Sequence, residues 1–224
     1  MRGIATVLLM LFWSAWASAQ AIPTVTQWIG IFQEVHRHPL FSDLKISYAK
    51  APAENVGYSP VGVIPREGLD CVVVVSEGAN PKMERMMRLT DSPYSTRVFL
   101  LAIAAHEFGH CFRIRGKHLS AQLWTNVMAT EDGTPERQAL ERRVSIEEAY
   151  ADAYAFAYVQ NAHREAYADV FGAMRSLRYE PAFATPFYQV EPLYEQLVNR
   201  GLDITLSLHN QVETAMRQAK FSVD

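Results

Sequence analysis

Apolar residues recur at helical spacing through residues 24–36, where Val25, Trp28, Ile29, Phe32 and Val35 share one side and Pro39 bars further helix. The pattern predicts an amphipathic helix that covers one face of a sheet. A shorter rhythm follows. Residues 44–49 alternate as a short strand, residues 56–64 are strand-prone but interrupted by Gly57, Pro60 and Gly62, and residues 71–75 form the continuous apolar run of a buried strand. A turn at residues 78–81 leads away from it. The strand at residues 72–76 stands where a substrate-binding edge could form, although four consecutive valines are the ordinary mark of an interior strand. Met83, Met86, Met87 and Leu89 then read as soft core filler.

The next segment signals a helix at both ends. Ser92 can cap it, Pro93 suits its first position, and Gly116 follows Arg113 and Arg115 as a stop. Between them Phe99, Ala102, Ile103, His106 and His110 keep the spacing of a single buried stripe. Two inward histidines are costly without partners. They belong to His106-Glu107-Phe108-Gly109-His110, an HExxH pattern, in which residues four apart on a helix can aim two imidazole nitrogens at one metal ion. Glu107 is then placed as the general base that takes a proton from an activated water. His36, His38, His163 and His209 read instead as solvated or structural residues. Beyond Gly116, residues 117–143 read as a connection, with an apolar patch at 123–128 and a turn at 131–133, that could serve as a rim or as plain surface.

A catalytic zinc needs a third protein ligand and an open position. Residues 145–156 supply Glu148 and Asp152, one helical turn apart among alanines that would allow close helix approach. Glu148 can bind the metal while Asp152 accepts a hydrogen bond from the far nitrogen of a ligand histidine. Glu148 could alternatively form a capping box with Ser145. The same five letters recur at Glu165-Ala166-Tyr167-Ala168-Asp169, so Glu165 is an alternative third ligand, and His118, past the helix stop, is another. Glu148 is preferred for the small residues that follow Asp152.

HExxH followed by ExxxD resembles the gluzincin metallopeptidases, the superfamily of thermolysin and of the membrane zinc proteases that process CAAX proteins. The small residues around Asp152 are closer to the wording of the latter group, although this chain carries no set of membrane-spanning helices like theirs. The resemblance covers the two motif helices and implies zinc bound by His106, His110 and Glu148, Glu107 as general base, and Asp152 behind His106. A metzincin pattern is disfavoured because Arg113 and Gly116 stand where that family requires glycine and histidine. The implied fold is α+β and zincin-like: a small sheet on the active-site helix, then a glutamate-bearing helix and a helical C-terminal part.

Composition narrows this further. The chain has 224 residues, 49% of them hydrophobic, enough for one domain with a substantial core. A net charge of −3 offers no basic surface for nucleic acid. Arg2, the apolar run at residues 4–13 and Ala17-Ser18-Ala19 predict a signal peptide over residues 1–19, leaving a mature domain of residues 20–224 that is exported, periplasmic or secreted, with no stable membrane insertion. Cys71 and Cys111 can then form one disulfide, or remain two buried thiols. Pro181, Pro186 and Pro192 divide the C-terminal part, with helices expected at 195–198 and 212–221. The dense aromatics Tyr179, Phe183, Phe187, Tyr188 and Tyr194 read as packing against the glutamate helix. Together these features predict an exported zinc metallopeptidase acting on a peptide or protein substrate. The competing expectation is a zincin-fold binding or scaffold protein without proteolysis.

Overall fold

The computed structural model describes residues 22–53, 59–78, 80–120, 122–179 and 189–221. The expected signal peptide, residues 56–58 of the expected strand, and Pro181, Phe183, Pro186, Phe187 and Tyr188 lie outside the described residues.

Helix α1 (Val25–His36) starts at Thr24, whose hydroxyl accepts from the Gln27 amide while the Gln27 side chain accepts from the Thr24 amide. Its Trp28, Phe32 and Val35 are buried. Strands β1 (Ile46–Pro52), β2 (Val61–Ile64) and β3 (Cys71–Glu77) form a mixed sheet in the order β1-β3-β2, with β1 parallel and β2 antiparallel to β3. The four-valine strand is therefore interior: both of its edges are paired, and it offers no free edge to a substrate. Helix α2 (Pro81–Met86) places Met83 and Met86 in the core, with Met87 just beyond.

Helix α3 (Pro93–Arg115) begins where Ser92 and Pro93 predict, the Ser92 hydroxyl accepting from the Ser95 amide at 3.0 Å. Every residue from Val98 to Cys111 is buried, so the single stripe expected from the spacing is a helix enclosed on all sides. Helices α1 and α5, α6 and the sheet surround it. At its end Gly116 is right-handed, with φ −73°, and the left-handed residue is Lys117, with φ 61°. A Cβ at Gly116 would come within 2.7 Å of the His118 ring, but that side chain is exposed and can swing aside, so neither backbone nor packing demands glycine at this stop.

The expected connection at 117–143 is mostly helical. Helix α4 (Gln122–Ala129) buries Leu123 and Val127 in a small cluster with Leu119 and Val144. Helix α5 (Pro135–Ala162) starts at Thr134, whose hydroxyl accepts from the Arg137 amide. Ser145 therefore sits inside a helix, donating to the Glu141 carbonyl, and forms no capping box with Glu148. After a 3-10 turn at Arg164–Ala166 come α6 (Tyr167–Tyr179), α7 (Glu191–Arg200) and α8 (Leu208–Gln218); α7 is longer than the sequence pattern implies, and α8 begins and ends three to four residues earlier than expected. Among the described residues the protein is thus α+β, with eight helices and one three-stranded sheet. None of the described helices is long and apolar enough to cross a membrane.

Cys71 and Cys111 form a disulfide with Cα atoms 5.4 Å apart, which decides between the bridge and two free thiols. It ties the first residue of β3 to the residue after His110.

Candidate metal centre

Helices α3 and α5 run in opposite directions across the core, so that His106 faces Asp152, His110 faces Glu148 and Arg113 faces Glu147. Small residues set their separation. A Cβ on Gly109 would lie 2.8 Å from the Ala151 Cα, and Ala149, Ala151, Ala153 and Ala155 are wholly buried. Arg113 makes a two-pronged bond to Glu147, 2.8 Å on each arm, and its guanidinium lies 4.0 Å from the centre of the Tyr150 ring. This pair fixes the register of the two helices beside the histidines.

Three ligating groups converge in that register. His106 Nε2 lies 3.6 Å from Glu148 Oε2, and His110 Nε2 lies 3.5 Å from Glu148 Oε1. Both distances exceed an ordinary hydrogen bond. They approach the edge of a tetrahedron with about 2.0–2.1 Å from centre to ligand, which is roughly 3.3 Å. His106, His110 and Glu148 are the group among the described residues whose ligand atoms all lie within 4.8 Å of one another, and all three are buried. Two imidazole nitrogens and a carboxylate, buried and held close without bonding one another, could hold a metal ion.

The surrounding charges keep both carboxylates ionised. Burial alone would push the Glu148 carboxyl up, but Arg178 and His110 outweigh it and bring it down to about 2. Burial would likewise raise Asp152, yet Arg178 and His106 hold it well below the usual carboxylate range. Ionised Asp152 accepts from His106 Nδ1 at 2.8 Å, which leaves the Nε2 lone pair directed at the centre. Glu107, 8% exposed, is pushed up by burial, an effect partly offset by His106 and His110. His110 Nδ1 has no hydrogen-bond partner among the described residues.

Arg178 is absent from the sequence reading, and Tyr194 enters it only as an aromatic packing on the glutamate helix, without its bond to Asp152. Arg178, from α6, donates through Nε to Asp152 Oδ2 at 2.9 Å, through Nη2 to Asp152 Oδ1, and places Nη1 3.1 Å from Glu148 Oε2. Val170, Met174 and Arg178 share the buried face of α6 at four-residue spacing, and an arginine on such a face is the signal that could have revealed it. Tyr194, from α7, donates to Asp152 Oδ2 at 3.0 Å besides packing on Phe156 of the glutamate helix.

The alternative ligands lie elsewhere. Glu165 is exposed on the 3-10 turn and accepts from the Tyr94 hydroxyl, while Asp169 accepts from Ser95 Oγ at 2.6 Å. The repeated five letters thus tether the start of α6 to the first turn of α3, about three helical turns from His106, because the 3-10 turn separates Glu165 from the helix that carries Asp169. His118 is exposed beyond the end of α3. His36 bonds the Leu44 carbonyl, and His209 bonds the Tyr154 hydroxyl. A cleft of about 550 Å³ bounded by Phe112, Arg113, Tyr154, Leu208, His209 and Glu213 lies on another flank of the two helices, and none of the three converging residues lines it.

Comparison with family models, with curated proteins and with solved structures finds no match to this chain.

Proposed function

We propose that this chain is an exported zinc-dependent peptidase of the gluzincin kind, with the sheet, α3 and α5 as its zincin-like core. The observation that carries this reading is the convergence of His106 Nε2, His110 Nε2 and the Glu148 carboxylate, with buried Glu107 next in sequence to His106. A zinc ion in such a donor set supplies Lewis acidity, polarising a carbonyl oxygen and making water nucleophilic near neutral pH. The chain's own groups supply the rest. Asp152 fixes the tautomer of His106 and, bonded itself by Arg178 and Tyr194, cannot turn away. Glu107, buried beside His106, removes the proton of the attacking water and delivers it to the leaving amine nitrogen. The Cys71–Cys111 disulfide supports export, since such bonds persist in oxidising compartments.

The test is a peptide-library digest with zinc-loaded protein and with Glu107→Gln. Turnover that falls by more than a hundredfold, with metal content unchanged, is the expected result for the variant. Undiminished turnover would refute the role of Glu107. If the unmodified, loaded protein cleaves nothing, the peptidase reading fails in favour of a binding protein.

A further inference from the structure

We propose that Arg178 is a positioning residue that holds Glu148 as a one-oxygen ligand, keeping the second carboxylate oxygen out of the coordination sphere; this rests on the metal-centre reading above. The guanidinium touches both carboxylates at once. Its Nη1 lies 3.1 Å from Glu148 Oε2, while Nε and Nη2 engage both oxygens of Asp152. Asp152 is fully buried and anchored independently by Tyr194 and His106, so the arginine is held at a fixed place and angle.

The consequence falls on Glu148. A carboxylate can offer a cation one oxygen or two. Here Oε2 already faces a permanent positive charge in a buried setting, and a dication drawn toward Oε2 would meet that charge at close range. Both oxygens face the histidines, Oε2 at 3.6 Å from His106 Nε2 and Oε1 at 3.5 Å from His110 Nε2, and the arginine's closer hold on Oε2, at 3.1 Å, leaves Oε1 as the donor. One oxygen in place of two keeps the donor count low, leaves a position open and takes less charge off the ion, which preserves its Lewis acidity. Lysine could not substitute, because one ammonium nitrogen cannot span Asp152 and Glu148 with the fixed fork that arginine presents.

The probe is cobalt(II), whose visible absorption is intense with four donors and weak with five or six. The spectra of the unmodified chain, Arg178→Lys and Arg178→Met would be recorded far below their melting temperatures, with zinc affinity measured by competition against a chromogenic chelator. The unmodified protein should give the intense band. Arg178→Lys, which keeps the charge but not the fork, should lose band intensity and bind zinc about 10- to 100-fold more weakly. An unchanged band and affinity in Arg178→Lys would overturn the proposal, as would a weak band in the unmodified protein. The unmodified spectrum and Arg178→Lys decide the matter even if Arg178→Met does not fold. Failure of the unmodified protein to take up any metal would remove the metal centre itself, whereas uptake that is indifferent to Arg178 removes this inference alone.

Discussion

Gly109→Ala sets two magnitudes against each other. Glycine in a helix interior is about 0.8–1.0 kcal/mol less favourable than alanine, so propensity alone predicts a more stable protein. Contact predicts the reverse. The new methyl would sit 2.8 Å from the Ala151 Cα and 3.1 and 3.2 Å from two Tyr154 carbons, whereas carbon atoms rest about 3.5–4.0 Å apart. The nearest neighbour is backbone of α5, so relief requires the helices to separate by roughly 1 Å, and overpacking of this kind costs about 1–3 kcal/mol, occasionally more. Because that neighbour is backbone and cannot swing aside, the upper part of the range applies, about 2–3 kcal/mol, and less the propensity gain the net expectation is destabilisation by about 1–2 kcal/mol, or a melting temperature lower by roughly 2–8 °C in a domain of this size. The same separation draws Glu148 away from His110 Nε2, now 3.5 Å distant, and should weaken zinc binding about tenfold or more. Thermal unfolding in the presence of a chelator isolates the packing effect, and chelator competition reads the metal. A variant as stable as the parent, with unchanged zinc affinity, would refute this account of how α3 and α5 meet.

Replacing Cys71 and Cys111 together by alanine removes a cross-link spanning 40 residues, which loop-closure entropy values at about 4 kcal/mol; the urea midpoint should fall accordingly, and an unchanged midpoint would show that the bridge contributes nothing. Acid should also unfold the metal-free protein. Glu148 is lowered to about 2 and Asp152 is lowered too, so both contribute stability that is fully present above the ordinary carboxylate range and lost as pH falls from there through their depressed folded values. Urea titrations between about pH 5 and about pH 2 should show a decline on the order of 3 kcal/mol from Glu148 alone, and a flat profile would contradict the buried network.

What could be read from the sequence was whatever a local signal announces. Ser92-Pro93 places the start of α3 at the observed residue, and the spacing of His106, His110, Glu148 and Asp152 anticipates the cluster found between α3 and α5. Thr134-Pro135 carries an equivalent start signal for α5, but Glu136, Arg137, Glu141, Arg142 and Arg143 give that stretch no apolar stripe, and it reads as a connection. Enclosure is a tertiary property: no period shows that α3 is covered on every side. The copies at Glu148 and Glu165 are identical in letters, and only the turn at Arg164–Ala166 separates their fates. Arg178 and Tyr194 arrive from helices 26 and 42 residues beyond Asp152, distances at which spacing carries no information about contact.

The most direct test of the centre is the zinc content of the purified chain, measured beside His110→Ala, Glu148→Ala and Glu165→Ala. About one zinc per chain, lost from the first two variants and kept in the third, is the predicted result. An unmodified chain that takes up no zinc even after reloading, or one that loses it with Glu165→Ala, would contradict the site assigned to His106, His110 and Glu148.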